Sequence, residues 1–208
     1  MTGYRPEYEA ALRLFAKVSK AMEAKGLLPP ILVGGAAVEL YSGSAVTTGD
    51  FDIVTPRQSE FEALLREHGF VRPSGPGMAT RGWIHPELGL GFEVVGSTVL
   101  DGKSDADRLQ LIGADEDGVA HVISVEDIIA DRMGQFASGT APEMREQAQK
   151  LFALYPDADK AYMERRIRQE TDGEYGVENL ESRVRDNRSA AKFRQPPDGE
   201  QEGAVEGG

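Results

Sequence analysis

The stretch PILVGGAAVELYSGSAVTTGDFDIVTP, Pro30 to Pro56, decides the fold. It opens with a short apolar run, Ile31 to Val33, that reads as a buried strand and stops at Gly34 and Gly35. Ala36 to Tyr41 then reads as a brief amphipathic helix and Ser42 to Gly49 as a polar turn. Asp50 to Val54 form a second strand. Side chains alternate along a strand, so Asp50 and Asp52 share one face while Phe51 and Ile53 share the other. Two carboxylates therefore meet at one place on the sheet.

Like charges placed side by side repel unless something positive lies between them. A hard divalent cation with oxygen ligands meets that need, and Mg²⁺ combines one or two carboxylates with water and phosphate oxygens. The glycine pair, ending a strand and opening a helix, presents backbone N–H groups to phosphate with no Cβ in the way. Taken singly, a GG pair marks a turn and D-x-D sits on many solvated strand ends. In this order, strand, GG, helix, Ser/Thr/Gly turn and D-x-D, they describe a phosphate cradle joined to a metal site.

Val33-Gly34-Gly35 followed by Asp50-Phe51-Asp52-Ile53 resembles the signature of the DNA polymerase β-like minimal nucleotidyltransferases, a superfamily that includes the AbiE-type toxin subunits of toxin–antitoxin systems. The resemblance implies an α/β (α+β) nucleotidyltransferase fold, a small mixed β-sheet flanked by helices with a C-terminal helical lobe. It also implies an Mg²⁺-dependent enzyme that moves a nucleoside monophosphate from an NTP to a hydroxyl, with two metal ions held by Asp50 and Asp52. Gly34, Gly35 and a turn hydroxyl such as Ser44 would position the phosphates. The segment between Gly35 and Asp50 is slightly longer than the commonest spacing, and Gly49 stands where many small relatives carry a lysine or another polar residue.

Downstream of this stretch, Pro56 to His68 has the spacing of an amphipathic helix closed by Gly69, and Pro73 to Gly77 is a loop by composition. Thr80 to Ile84 and Leu90 to Val95 suggest a hairpin turning at His85 to Gly89. Glu93 is the one charge in that second strand. A carboxylate among apolar neighbours is costly unless paired or bound to metal. Glu93 either faces solvent or supplies the third acid that the resemblance implies, sharing the metal and taking the acceptor's proton.

The acidic segment Asp101 to Asp117 lacks the D-x-D-x-D-G order of a calcium loop and reads as a solvated loop around one strand, Arg108 to Ile112. Val119 to Ile123 is a further strand. Ser124-Val-Glu-Asp127 opens a helix that runs to about Phe136. Arg132 in that helix either complements the helix C-terminal half or, as the resemblance implies, lies against the NTP phosphates. Two more helices, Pro142 to Tyr155 and Asp157 to Thr171, form a helical lobe. Upstream, Pro6 to Lys25 is a scaffold helix ending at Gly26, with Arg13, Lys17 and Lys20 on its solvated face. The expected organisation is a catalytic domain over residues 1–137, a helical extension over 138–194 and a disordered acidic tail over 195–208.

The chain has 208 residues and 23 Lys+Arg against 35 Asp+Glu, a net charge of −12. That balance opposes generic nucleic-acid binding, which rests on phosphate contacts. A small-molecule or protein acceptor is favoured over RNA, which would need a local basic patch. With no cysteine there is no disulfide framework, zinc–thiolate site or thiol nucleophile. Neither a signal peptide nor an apolar run long enough to span a bilayer is visible, and a cytoplasmic protein is expected. Two alternatives share this motif: a non-catalytic nucleotide-sensing or partner-binding module, for instance in a toxin–antitoxin or defence pair, and a small-molecule, antibiotic-type adenylyltransferase. The residues name neither the NTP nor the acceptor.

Overall fold

The computed structural model describes residues 3–73 and 82–181. In chain order the elements are α1 (Pro6–Ala24), β1 (Ile31–Val33), α2 (Gly34–Ser42), β2 (Asp50–Val54), α3 (Gln58–Glu67), β3 (Trp83–His85), β4 (Leu90–Gly96), β5 (Gln110–Gly113), β6 (Val119–Val122), α4 (Val125–Ala137), α5 (Glu143–Leu154) and α6 (Lys160–Glu170). The six strands form one sheet in the order β3-β4-β2-β1-β6-β5. β1 runs antiparallel to β2 and parallel to β6, and β2 runs parallel to β4. This is the small mixed sheet flanked by helices that the sequence leads one to expect.

Apolar alternation fixes the inner face. Phe51 lies level with Phe92 in the β2–β4 register, and their rings stack with centroids 4.8 Å apart. Tyr8 and Phe15 of α1 close over this pair at 5.3 and 6.3 Å, and Phe70 adds a third ring at 4.6 Å from Phe92. Leu32, Ile53 and Val122 are fully buried beside them. Each such side chain contributes about 1.5–3 kcal/mol when removed from water. The same alternation turns Asp50, Asp52 and Glu93 to the opposite face, with Asp52 beside the start of α2.

The acidic loop does more than meet solvent. Its turn at Asp115–Asp117 docks on α1, where Arg13 reaches Asp115 at 3.1 Å, Lys17 reaches Asp117 at 3.1 Å and Lys20 Nζ donates to the Glu116 carbonyl at 2.9 Å. The basic face expected to be merely solvated is therefore an ion-pairing surface. β5 also starts two residues later than expected, because Ala106–Arg108 coil into a 3-10 turn and Arg108 is drawn to Asp159 at 2.8 Å.

α4 packs against α2, α5 and α6. Its N-cap is Ser124, whose Oγ accepts from the Asp127 amide at 3.1 Å. Asp127 does not complete a reciprocal cap. Its carboxylate is buried, accepting from Ser104, Ser124, Tyr162 and Arg166 at 2.7–2.9 Å. This knot ties α4 to α6 and to the loop before β5. α5 and α6 form the expected helical layer. Most of the Pro73–Gly77 loop, the end of the helical extension and the acidic tail lie outside the described residues.

Candidate active site

β1 ends at Val33, and the chain turns at once into α2 because Gly34 takes φ +61, a left-handed value that glycine adopts without a Cβ penalty. The turn brings the start of α2 onto Asp52. A Cβ on Gly34 would stand 1.9 Å from Asp52 Oδ2, so only glycine leaves room for that carboxylate. The Gly35 amide donates to the same oxygen at 3.4 Å. On the other side of β2, parallel pairing sets Asp52 level with Glu93 and Asp50 level with Gly91. A Cβ on Gly91 would lie 2.5 Å from Asp50 Oδ1, so a side chain there would push the exposed Asp50 carboxylate aside.

Asp50, Asp52 and Glu93 thus form a carboxylate ridge beside the glycine turn. Asp50 is exposed, while Asp52 and Glu93 are half-buried. Burial pushes the Asp52 carboxyl above the ordinary carboxylate range. The Gly35 amide and Arg132 oppose that rise, and the charges of Asp50 and Glu93 add to it.

Two clefts flank the ridge. One, of about 520 Å³, is lined by Gly34 and Asp52 at its base, by Val54, Val95 and Ile128 on its apolar walls, and by Asp131 and Gln135 of α4. The other, of about 270 Å³, takes in Asp50 and Glu93 together with Gly49, Gly82, Gly89 and Gly91. Asp131 is also pushed up by burial, against the pull of Arg132 and a 3.0 Å hydrogen bond from Gln135 Nε2.

An all-oxygen donor set suits a hard cation such as Mg²⁺, which is held by one or two carboxylates plus substrate phosphates rather than by an all-protein cage. Asp52 and Glu93, level across the β2–β4 pair, are the two carboxylates placed to supply such a pair. Among the described residues, no three acidic or histidine side chains converge closely enough to enclose an ion by themselves.

A solved structure, the crystal structure of an antigenic nucleotidyltransferase-like protein from Paracoccidioides brasiliensis, matches this chain with a TM-score of 0.60 at 15% identity, over 91% of this chain and 94% of that one. The chain has a nucleotidyltransferase fold. The antibiotic-resistance factor ANT(2'')-Ia matches in its solution structure with a TM-score of 0.41 at 18% identity, over 88% of this chain and 96% of that one. Its crystal structure with adenylyl-2''-tobramycin gives 0.41 at 19%, over 88% and 99%. No family's sequence profile and no curated protein matches the chain.

Within this nucleotidyltransferase fold, five of the seven residues singled out from sequence come together: Gly34, Gly35, Asp50, Asp52 and Glu93. Ser44 does not join them, because its hydroxyl donates to Glu39 at 2.8 Å and accepts from the Arg5 amide at 3.1 Å. The turn hydroxyl that stands by the glycine pair is Thr48, whose Oγ1 would lie 2.6 Å from a Cβ on Gly35. Arg132 is close enough to act on Asp52 electrostatically but is only 4% exposed. Its Nη1 donates to Gln135 at 3.0 Å and approaches Met144 Sδ at 3.3 Å, while its buried Nε has no hydrogen-bond partner among the described residues. Asp131, Gln135 and Glu39 were missed from sequence. For Glu39 a signal existed, since it is the lone charge in the apolar run Ala36 to Leu40, the same pattern that singles out Glu93.

Proposed function

We propose that this chain transfers a nucleoside monophosphate from an NTP to a hydroxyl of a small acceptor in an Mg²⁺-dependent reaction. The observation that carries the reading is the level placement of Asp52 and Glu93 beside Asp50, next to a glycine turn whose amide points at Asp52. Asp50, Asp52 and Glu93 would hold metal only together with substrate phosphate oxygens and water, since no three of the described side chains enclose an ion by themselves. When bound, Mg²⁺ supplies charge stabilisation at the phosphoryl group being transferred.

The protein's own residues have separate tasks. Gly34 and Gly35 keep the start of α2 clear for the β- and γ-phosphates, and the helix dipole there favours negative charge. Glu93 accepts the proton from the acceptor hydroxyl, within reach of the smaller cleft that it lines with Asp50. Arg132, close enough to act on Asp52 electrostatically, offsets part of the carboxylate charge. The apolar walls at Val54, Val95 and Ile128 take the faces of the nucleobase, and a cleft of about 520 Å³ is within the usual size for a ligand site.

Among the described residues, the smaller cleft is lined by two carboxylates, four glycines and Ile84, with no cation. A neutral or amine-bearing hydroxyl compound suits it better than a polyanion. This favours a small-molecule acceptor over nucleic acid, in keeping with the net charge of −12. The test is incubation of purified protein with each labelled NTP and Mg²⁺, scoring pyrophosphate release and label transfer to neutral or cationic polyols. Asp50→Ala is expected to abolish transfer with the fold intact. Wild-type protein that binds NTP yet releases no pyrophosphate with any acceptor would instead make it a nucleotide-sensing module.

A further inference from the structure

Glu39 is fully buried on α2, yet it carries a charge in an otherwise apolar run. Four donors surround its carboxylate. Arg5 Nε reaches Oε1 at 2.7 Å and Arg5 Nη2 reaches Oε2 at 3.0 Å, a bidentate fork. Ser44 Oγ donates to Oε1 at 2.8 Å and the Thr48 amide to Oε2 at 2.7 Å. Arg5 also holds the turn independently, donating through Nη2 to the Thr48 carbonyl and through its amide to Ser44 Oγ.

The two pinned residues bracket the turn that leads into β2. Ser44 is held at φ 59, a value that a non-glycine residue keeps only when its surroundings over-determine it. Thr48 passes the constraint on: its Oγ1 donates to the Asp50 carbonyl at 3.0 Å and accepts from the Asp50 amide at 3.4 Å. A buried ion pair is a weak device for stability, since an apolar side chain of similar volume does as well. What the pair provides here is one geometry for a seven-residue turn with glycines at both ends.

We propose that Glu39, held by Arg5, is a positioning residue for Asp50: through Ser44 and Thr48 it fixes where the first carboxylate of the ridge stands. The proposal rests on the reading of Asp50 as a metal-holding carboxylate. It assigns a task to the start of α1, some 45 residues before Asp50 in the chain.

Glu39→Gln keeps the shape and removes the charge. Arg5→Ala opens a guanidinium-sized gap at a side chain that is 28% exposed and so reachable from solvent. Three readouts apply to both variants: amide hydrogen exchange, Mn²⁺ binding to the protein without nucleotide by electron paramagnetic resonance, and NMP transfer. The expected result is faster exchange confined to residues 44–50, with α1 and β1 still protected. Mn²⁺ affinity and kcat should fall by about 10–100-fold, with KM for the NTP changed less. Added guanidinium should restore Arg5→Ala but not Glu39→Gln.

Exchange, Mn²⁺ affinity and kcat all unchanged would overturn the proposal, and so would protection lost throughout α1 and β1, which marks a purely structural pair. Wild-type protein that transfers no nucleotide, with turn exchange and Mn²⁺ affinity still shifted in the variants, would remove the proposed function and leave the positioning role standing. Active wild type with variants that match it in all three readouts would do the reverse.

Discussion

Asp127 and Asp52 are two carboxylates on the side of the sheet that α4 covers, and the chain treats them in opposite ways. Asp127 is fully buried and receives two serine hydroxyls, a tyrosine hydroxyl and an arginine. Asp52 is half-buried and receives one long bond from the Gly35 amide, with Asp50 and Glu93 as like-charged neighbours. This sequence can complete the shell of a carboxylate where that carboxylate joins elements. On the ridge it sets three acids side by side between two clefts, an arrangement that costs stability unless an incoming group supplies the balance.

Asp52→Asn is the sharpest way to break this contrast. Transfer should fall on the order of 1,000-fold, the loss expected when about 4 kcal/mol of charge stabilisation goes. The thermal midpoint should hold or rise, since a like charge has been removed. A midpoint that falls instead would class Asp52 with Asp127 as a structural acid. Arg166→Met tests the other half, because it strands the Asp127 charge in the interior. A loss of about 3–5 kcal/mol is expected, or about 10 °C in Tm by thermal melt. Adding Asp127→Asn should recover part of it.

Gly34→Ala sharpens the ridge side. The substitution forces φ +61 on alanine and drives a methyl group into Asp52, so about 1–3 kcal/mol should be lost along with transfer. Gly43→Ala, at φ +59 with nothing within 4 Å, carries the backbone cost alone. The difference between the two urea midpoints isolates the close approach to Asp52.

Glu39→Gln should cost about 1–2 kcal/mol at neutral pH. Burial raises the Glu39 carboxyl, but Arg5, the Thr48 amide and Ser44 more than offset this and hold it below its ordinary value. Its stabilisation is therefore complete above the ordinary glutamate range and is lost as pH falls through the lowered value of the folded state. Wild type and variant should converge at the acid end of a pH series of melts; a gap that persists there would mean the carboxylate charge is not what stabilises the turn.

Much of this was legible in the sequence for identifiable reasons. Ile31–Val33, the glycine pair and Asp50–Val54 are local patterns, and the alternation of Asp50, Phe51, Asp52 and Ile53 assigned faces before any pairing was known. Glu93 stood out as a charge in an apolar strand. Its place level with Asp52 depends on a parallel pairing across 40 residues, which no local pattern carries. Ser44 misled because a hydroxyl in a turn has many partners within reach, and the one it takes, Glu39, is decided by Arg5 at the start of α1, about 39 residues away in the chain. Arg132 was read either as complementing its helix or as lying against phosphates, and the partners it takes, Gln135 and Met144, are ones no local pattern names. Arg13, Lys17 and Lys20 looked like an ordinary wet face until the acidic turn, about 100 residues later, was folded onto them.

The level pairing of Phe51 with Phe92 has a further consequence. A slip of one residue between β2 and β4 would turn Glu93 inward among Tyr8, Phe15 and Phe70 and push Phe92 out into water, a penalty charged to both faces at once. A slightly misaligned, half-working form of this protein is therefore not an available state. Molecules that fold at all carry the acids correctly set, and damage to that pairing should appear as fewer folded molecules, each of full competence.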